Sequence, residues 1–122
     1  MIDIHSHLLP GVDDGSPSFA VSVPVLQRFC DDGVTTVVCT PHLNASKAAE
    51  APIERYREIF AELQRRAPAG IGLQLGWEIM LDTPHVDLTS PVATRYPLAR
   101  AAAIPRRSRD TAQWAPQPPC WH

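Results

Sequence analysis

His5, His7, Asp13 and Asp14 fall within one short run, Asp3-Ile-His-Ser-His-Leu-Leu-Pro-Gly-Val-Asp-Asp-Gly15. Side chains on a strand alternate with period two, so the i, i+2 histidines project from one face and both imidazoles can reach a single ion. Asp14, in the Gly-flanked loop after the strand, can bring a carboxylate to the same pocket. His42, directly after Pro41, and Glu78, directly after Trp77, add two more groups of the same ligand chemistry. Imidazole nitrogen with carboxylate oxygen suits a borderline transition ion such as Mn, Fe or Zn. A carboxylate such as Glu78 can also bridge two ions, and ions about 4 Å apart can clamp the attacking and leaving oxygens of a displacement. Glu78 is therefore assigned a catalytic role as well as a ligand role.

Each of these residues has a plainer reading. A lone histidine beside a core strand is more often a hydrogen-bonded structural residue than a ligand. The placement of His5, His7 and His42 at the ends of separate predicted strands, on one rim, favours ligation. Asp-Asp-Gly is an ordinary turn signal, and Ser16 or Ser18 can cap a helix after it. Asp13 is read as that turn residue and Asp14 as the ligand. His85, in Asp-Thr-Pro-His-Val-Asp, reads as a solvated loop residue. Trp77 is expected to pack in the strand and orient Glu78. Asp3 is expected to turn away from the histidines and act outside the ligand set. Cys30, Cys39 and Cys120 fit neither a disulfide framework nor a CxxC zinc site, and Cys30 and Cys39 are expected as reduced core residues.

The elements that must position these groups alternate between strand and helix. Ile2 to His7 is the first predicted strand. Phe19, Ser22, Val23, Leu26, Phe29 and Cys30 recur at helical spacing up to Gly33, a suitable C-terminal stop, although Pro24 interrupts the pattern. Val34 to Thr40 is β-branched and nearly all apolar, as a strand buried on both faces of a parallel sheet should be. Ile53, Tyr56, Ile59, Phe60 and Leu63 share one face of a second helix, with Pro52 at its start. Ile71 to Ile79 is the third strand. This order predicts an α/β fold with a parallel sheet, right-handed crossovers and functional groups at the C-terminal strand ends. Those ends carry His5, His7, His42 and Glu78.

Size and charge bound the rest. A chain of 122 residues with 44% apolar content forms one domain. Its net charge of -2 supplies no basic field for nucleic acid. No signal-peptide pattern and no membrane-length apolar run occurs, so a soluble cytoplasmic protein without membrane insertion is expected. Residues 1–90 hold six Lys and Arg against twelve Asp and Glu, whereas residues 91–122 hold five Arg against Asp110 alone. Six of the thirteen prolines also lie in that last stretch. The expected division is thus 1–90 as the folded part and 91–122 as an irregular Pro- and Arg-rich tail. Two readings of the tail stand side by side: a disordered basic extension, or residues read out of frame.

The run Ile2 to Gly15, together with Gly33-Val-Thr-Thr-Val-Val-Cys-Thr-Pro-His42 and Gly76-Trp-Glu-Ile79, resembles the PHP-type protein-tyrosine phosphatases of the CpsB/YwqE group. The resemblance covers residues 1–82 and rests chiefly on the first, most specific motif. It implies a manganese-dependent phosphatase on a distorted (β/α) barrel, of which this chain is the N-terminal part. It further implies a phosphotyrosyl protein as substrate, a bacterial tyrosine kinase governing capsule or exopolysaccharide synthesis. By position, His5, His7, Asp14, His42 and Glu78 become the ligands of two or three Mn ions, with Fe or Zn as alternatives. Family members are longer and carry a later histidine, an Asp-x-His pair and phosphate-binding arginines that have no match here. The expectation is therefore a chain impaired by truncation, with an uncovered sheet edge that invites self-association. The alternatives are an inactive metal-binding fragment and another phosphoesterase of the PHP or amidohydrolase type. No Cys-x5-Arg loop accompanies Cys30 or Cys39, so a phosphocysteine route is not expected.

Overall fold

A computed structural model describes residues 1–84. The expectations for His85, for the tail 91–122 with its Cys120 and His122, and for the boundary at residue 90 lie outside the described residues. The fold is mixed α/β with every paired strand parallel. Strand β1 (Ile2–Ser6) leads to helix α1 (Phe19–Asp31), then β2 (Thr36–Cys39) and β3 (His42–Asn44). A 3-10 segment (Ala45–Glu50), helix α2 (Ile53–Arg66), β4 (Gly72–Leu75) and β5 (Glu78–Met80) complete the order. One sheet runs β1-β2-β4, and a second holds β3 and β5.

The expected three strands are thus five, because two of them break and restart. The break after β2 falls at Thr40-Pro41, where proline has no N–H to give a ladder. The break after β4 falls at Gly76-Trp77, within the single strand predicted over 71–79. Both chains bend together: Gly76 N–H donates to Cys39 O at 2.8 Å, and Glu78 N–H donates to Pro41 O at 3.0 Å. The parallel pairing therefore resumes in step, with His42 opposite Glu78.

Strand β1 contains a bulge. Asp3 pairs with Val37 and Ser6 with Cys39, so three steps on β1 match two on β2. Such an extra residue changes the phase of side-chain alternation and re-aims the side chains beyond it. Ser6 is turned inward, where its Oγ donates to Val38 O at 2.9 Å. The His5 N–H donates to Asp3 Oδ1 at 3.1 Å. Asp3 thus supports the bulge through the backbone of His5.

Helix α1 runs through Pro24 and stops as its sequence suggests. Gly33 takes φ 84°, a left-handed conformation that suits glycine. Val34 N–H then donates to Phe29 O, and Gly33 N–H to Cys30 O. These are the bonds of a Schellman stop. At the other end the N-cap is Ser18, but it forms no side-chain cap; Ser16 Oγ instead donates to Ser18 O. The core is built from Leu9, Leu26, Val34, Val37, Cys39, Leu63 and Ile71 between the helices and the three-stranded sheet. A second cluster of Leu43, Ile53 and Trp77 fixes α2 on β3 and β5. Trp77 stacks on Tyr56 with ring centroids 5.6 Å apart, the packing role expected of it. Cys39 is buried and reduced as expected, and Cys30 takes the core position expected of it, 5% exposed.

Candidate metal centre

The C-terminal end of β1 delivers His5 and His7, with ring centroids 5.1 Å apart and their Nε2 atoms 3.1 Å apart. The β2-to-β3 bend delivers His42, whose ring centroid lies 4.7 Å from that of His7. Its register partner Glu78 opens β5. The Glu78 Oε2 atom lies 3.3 Å from His5 Nε2, 3.1 Å from His7 Nε2 and 3.2 Å from His42 Nε2. Asp14, on the loop between β1 and α1, sits at the rim, 82% exposed, with Oδ1 3.4 Å from His42 Nδ1. All five residues singled out from the sequence are brought to one mouth.

Whether these groups fit a metal can be tested on Glu78 Oε2. The atom is buried and accepts no hydrogen bond, although three ring nitrogens surround it. A buried acceptor left unpaired is costly. The separations supply a reason for the arrangement. Ligand atoms about 2.1 Å from a shared ion lie roughly 3.0–3.4 Å from one another in octahedral or tetrahedral shells. The four atoms here are 3.1–3.3 Å apart where they meet. Two overlapping groups, His5, His7, Glu78 and His7, Asp14, His42, each offer atoms within 4.8 Å of one another. His7 cannot serve two ions through Nε2, which has one lone pair. Glu78, with two oxygens, can.

Asp13 does more than turn the chain. Its Oδ1 accepts the Gly15 N–H at 2.9 Å, which is the turn role expected. Its Oδ2 accepts from His7 Nδ1 at 3.0 Å and from the His42 backbone N–H at 3.2 Å. Burial pushes the Asp13 carboxyl up, but the bonds from His7, Gly15 and His42 outweigh it and hold the group below the usual carboxylate range. The same hydrogen bond, donated to Asp13, raises the His7 imidazole above its ordinary value, despite the opposing effect of burial. No spacing in the sequence announces this contact, because it depends on the loop closing back on β1. Gly11 N–H donates to Ser16 O at 2.8 Å, and Ser16 N–H to His7 O at 2.9 Å. Gly15 permits that closure: a Cβ there would lie 2.3 Å from His7 Cβ and 2.4 Å from His7 O.

Beneath the site, burial pushes the Cys39 thiol up to about 12, so it remains protonated at neutral pH and is no nucleophile.

Comparison with known proteins places this geometry in context. The family model for capsular polysaccharide synthesis, CpsB/CapC, matches residues 1–93. CapC of Staphylococcus aureus is 33% identical over 84 residues, which is 66% of this chain and 32% of CapC. The tyrosine-protein phosphatase YwqE of Bacillus subtilis is 36% identical over 66 residues, 54% of this chain and 26% of YwqE. One solved structure, from a set described as YwqE from Bacillus subtilis and CpsB from Streptococcus pneumoniae, metal-dependent tyrosine phosphatases, aligns with a TM-score of 0.46 at 28% identity. That alignment covers 68% of this chain and 34% of the solved one. The chain spans about a third or less of the length of these relatives.

Proposed function

Because this chain belongs to the CpsB/CapC family of capsular polysaccharide synthesis, we propose that it supplies the metal-holding part of a protein-tyrosine phosphatase site. His5, His7, Asp14, His42 and Glu78 would hold the ions, with Glu78 offering two carboxylate oxygens to them. Manganese is the leading ion, with iron or zinc as alternatives. The observation that carries this reading is the buried, unbonded Glu78 Oε2 surrounded by three imidazole nitrogens. When bound, such ions supply a hydroxide near neutral pH and offset phosphoryl charge in the transition state. The chain's own part is to hold three imidazoles and two carboxylates at one mouth, on strand ends fixed by the parallel register. The described strands and helices are read as the N-terminal part of a distorted PHP-type barrel. The substrate is a phosphotyrosyl protein in the cytoplasm, a bacterial tyrosine kinase of capsule or exopolysaccharide synthesis.

A second reading is binding of metal without turnover. The two are separated by titrating the metal-free chain with Mn2+ and assaying it on a phosphotyrosyl peptide. The phosphatase reading expects saturable Mn2+ binding and hydrolysis that exhaustive chelation, or His5→Ala with His7→Ala, removes. Binding without hydrolysis selects the second reading. A folded chain that takes up no divalent ion overturns both.

A further inference from the structure

We infer that Asp13 is the positioning residue of this centre: it fixes the tautomer of His7 and ties His42, on a different strand, to the same carboxylate. The inference rests on the metal reading for its purpose, but its geometry stands apart from any ion. The Asp13 side chain is 4% exposed. Its Oδ2 takes two bonds, from His7 Nδ1 and from the His42 backbone N–H, while Oδ1 takes the Gly15 N–H.

An ionised carboxylate has no proton to donate, so the 3.0 Å contact with His7 requires the hydrogen on Nδ1. In a neutral imidazole the other nitrogen must then carry the lone pair. That nitrogen, Nε2, is the atom facing His5 Nε2 and Glu78 Oε2. An unrestrained histidine in water favours the opposite tautomer, with its proton on Nε2, which would block the lone pair needed there. Asp13 thus keeps His7 ready to ligate before any ion arrives. Partners that orient a ligating histidine in this way set both ring direction and basicity.

The second bond extends the effect across the sheet. The His42 N–H is the first donor of β3, immediately after Pro41. Held by the same oxygen that holds His7, it fixes the start of β3 relative to β1, and with it the separation of the two rings. Asp13 is buried and already accepts three N–H bonds, so it positions two ligands without being one.

The test uses the full chain, labelled with 15N and stripped of metal, at a pH above imidazole titration. Long-range 15N–1H correlation of the imidazoles reads the tautomer directly, and Mn2+ titration reads affinity. The wild-type chain is expected to show His7 with its proton on Nδ1. In Asp13→Ala, His7 should move to the Nε2-protonated form, and Mn2+ affinity should fall about 10–100-fold. Asp13→Asn should lie between, because its single carbonyl oxygen can serve His7 and His42 or Gly15 but not all three. Should Asp13→Ala fail to fold by circular dichroism, Asp13→Asn carries the same two readings. A wild-type His7 protonated on Nε2 overturns the inference. So does a variant that keeps the Nδ1–H form, or one that binds Mn2+ as tightly as wild type. If the wild type binds no Mn2+ yet His7 changes tautomer in the variant, the metal reading fails and the positioning of His7 stands.

Discussion

Glu78 is held in a conflict that a bound cation would resolve. Its Oε2 is buried against three imidazole nitrogens without accepting a hydrogen bond from any of them. Glu78→Gln keeps the shape and supplies an amide that can donate to a neutral imidazole. Removing an unsatisfied acceptor is worth about 1–3 kcal/mol in a fully buried site, and Glu78, a third exposed, should give the low end. The metal-free variant is therefore expected to be about 1 kcal/mol more stable in urea denaturation, while the stabilisation by added Mn2+ is lost. Equal losses in both states would mean that Glu78 serves packing alone. Such opposite signs are what a site strained for binding should give. At this scale the ligand types were legible in the sequence, because His-x-His, Pro41-His42 and Trp77-Glu78 all stand at or beside the ends of predicted strands. Asp13 was legible as a turn former and not as a partner of His7, since that contact forms only when the loop folds back over Gly15.

At the scale of elements, aim depends on short strands that pattern reading does not detect. Strands β3 and β5 have three residues each, too few to establish a period; β3 follows a bend that reads as a terminus, and β5 follows one hidden inside the single strand predicted over 71–79. They nonetheless set His42 opposite Glu78. What holds them is the cluster of Leu43, Ile53 and Trp77, with Tyr56 stacked on Trp77. Trp77 is 8% exposed. Trp77→Ala should cost about 3–5 kcal/mol in thermal or urea unfolding, and it should weaken Mn2+ binding by loosening β5. Trp77→Phe, which keeps an aromatic ring against Tyr56, should lose less of both. If affinity stays unchanged while stability falls, the cluster supports the fold but does not aim Glu78. The longer elements were legible for the converse reason. The helices carry several turns of apolar spacing, and the Gly33 stop and the β-branched run before Thr40 agree with their neighbours on where each ends.

Across the whole molecule, the alternation of strand and helix already implied a parallel α/β sheet, and the pairing is parallel throughout the described strands. What alternation could not convey is which strand forms the edge among the described residues. β1 lies at one edge of the sheet order β1-β2-β4, with Ile2 59% and Ile4 75% exposed. An apolar edge strand with unpaired backbone groups is a template for pairing with another chain, and natural edges are commonly blunted with lysine. The chain is accordingly expected to sediment as a concentration-dependent mixture of monomer and larger species. Ile4→Lys should shift it toward monomer and raise its solubility, because a charge on the edge must be desolvated if a second strand is to pair there. Ile4 is 75% exposed among the described residues, so the unfolding free energy should move by no more than about 0.5 kcal/mol. Sedimentation velocity over a wide concentration range decides the matter. A wild-type chain that remains monomeric throughout, or an Ile4→Lys chain that associates equally, would show that β1 is not the surface through which copies meet.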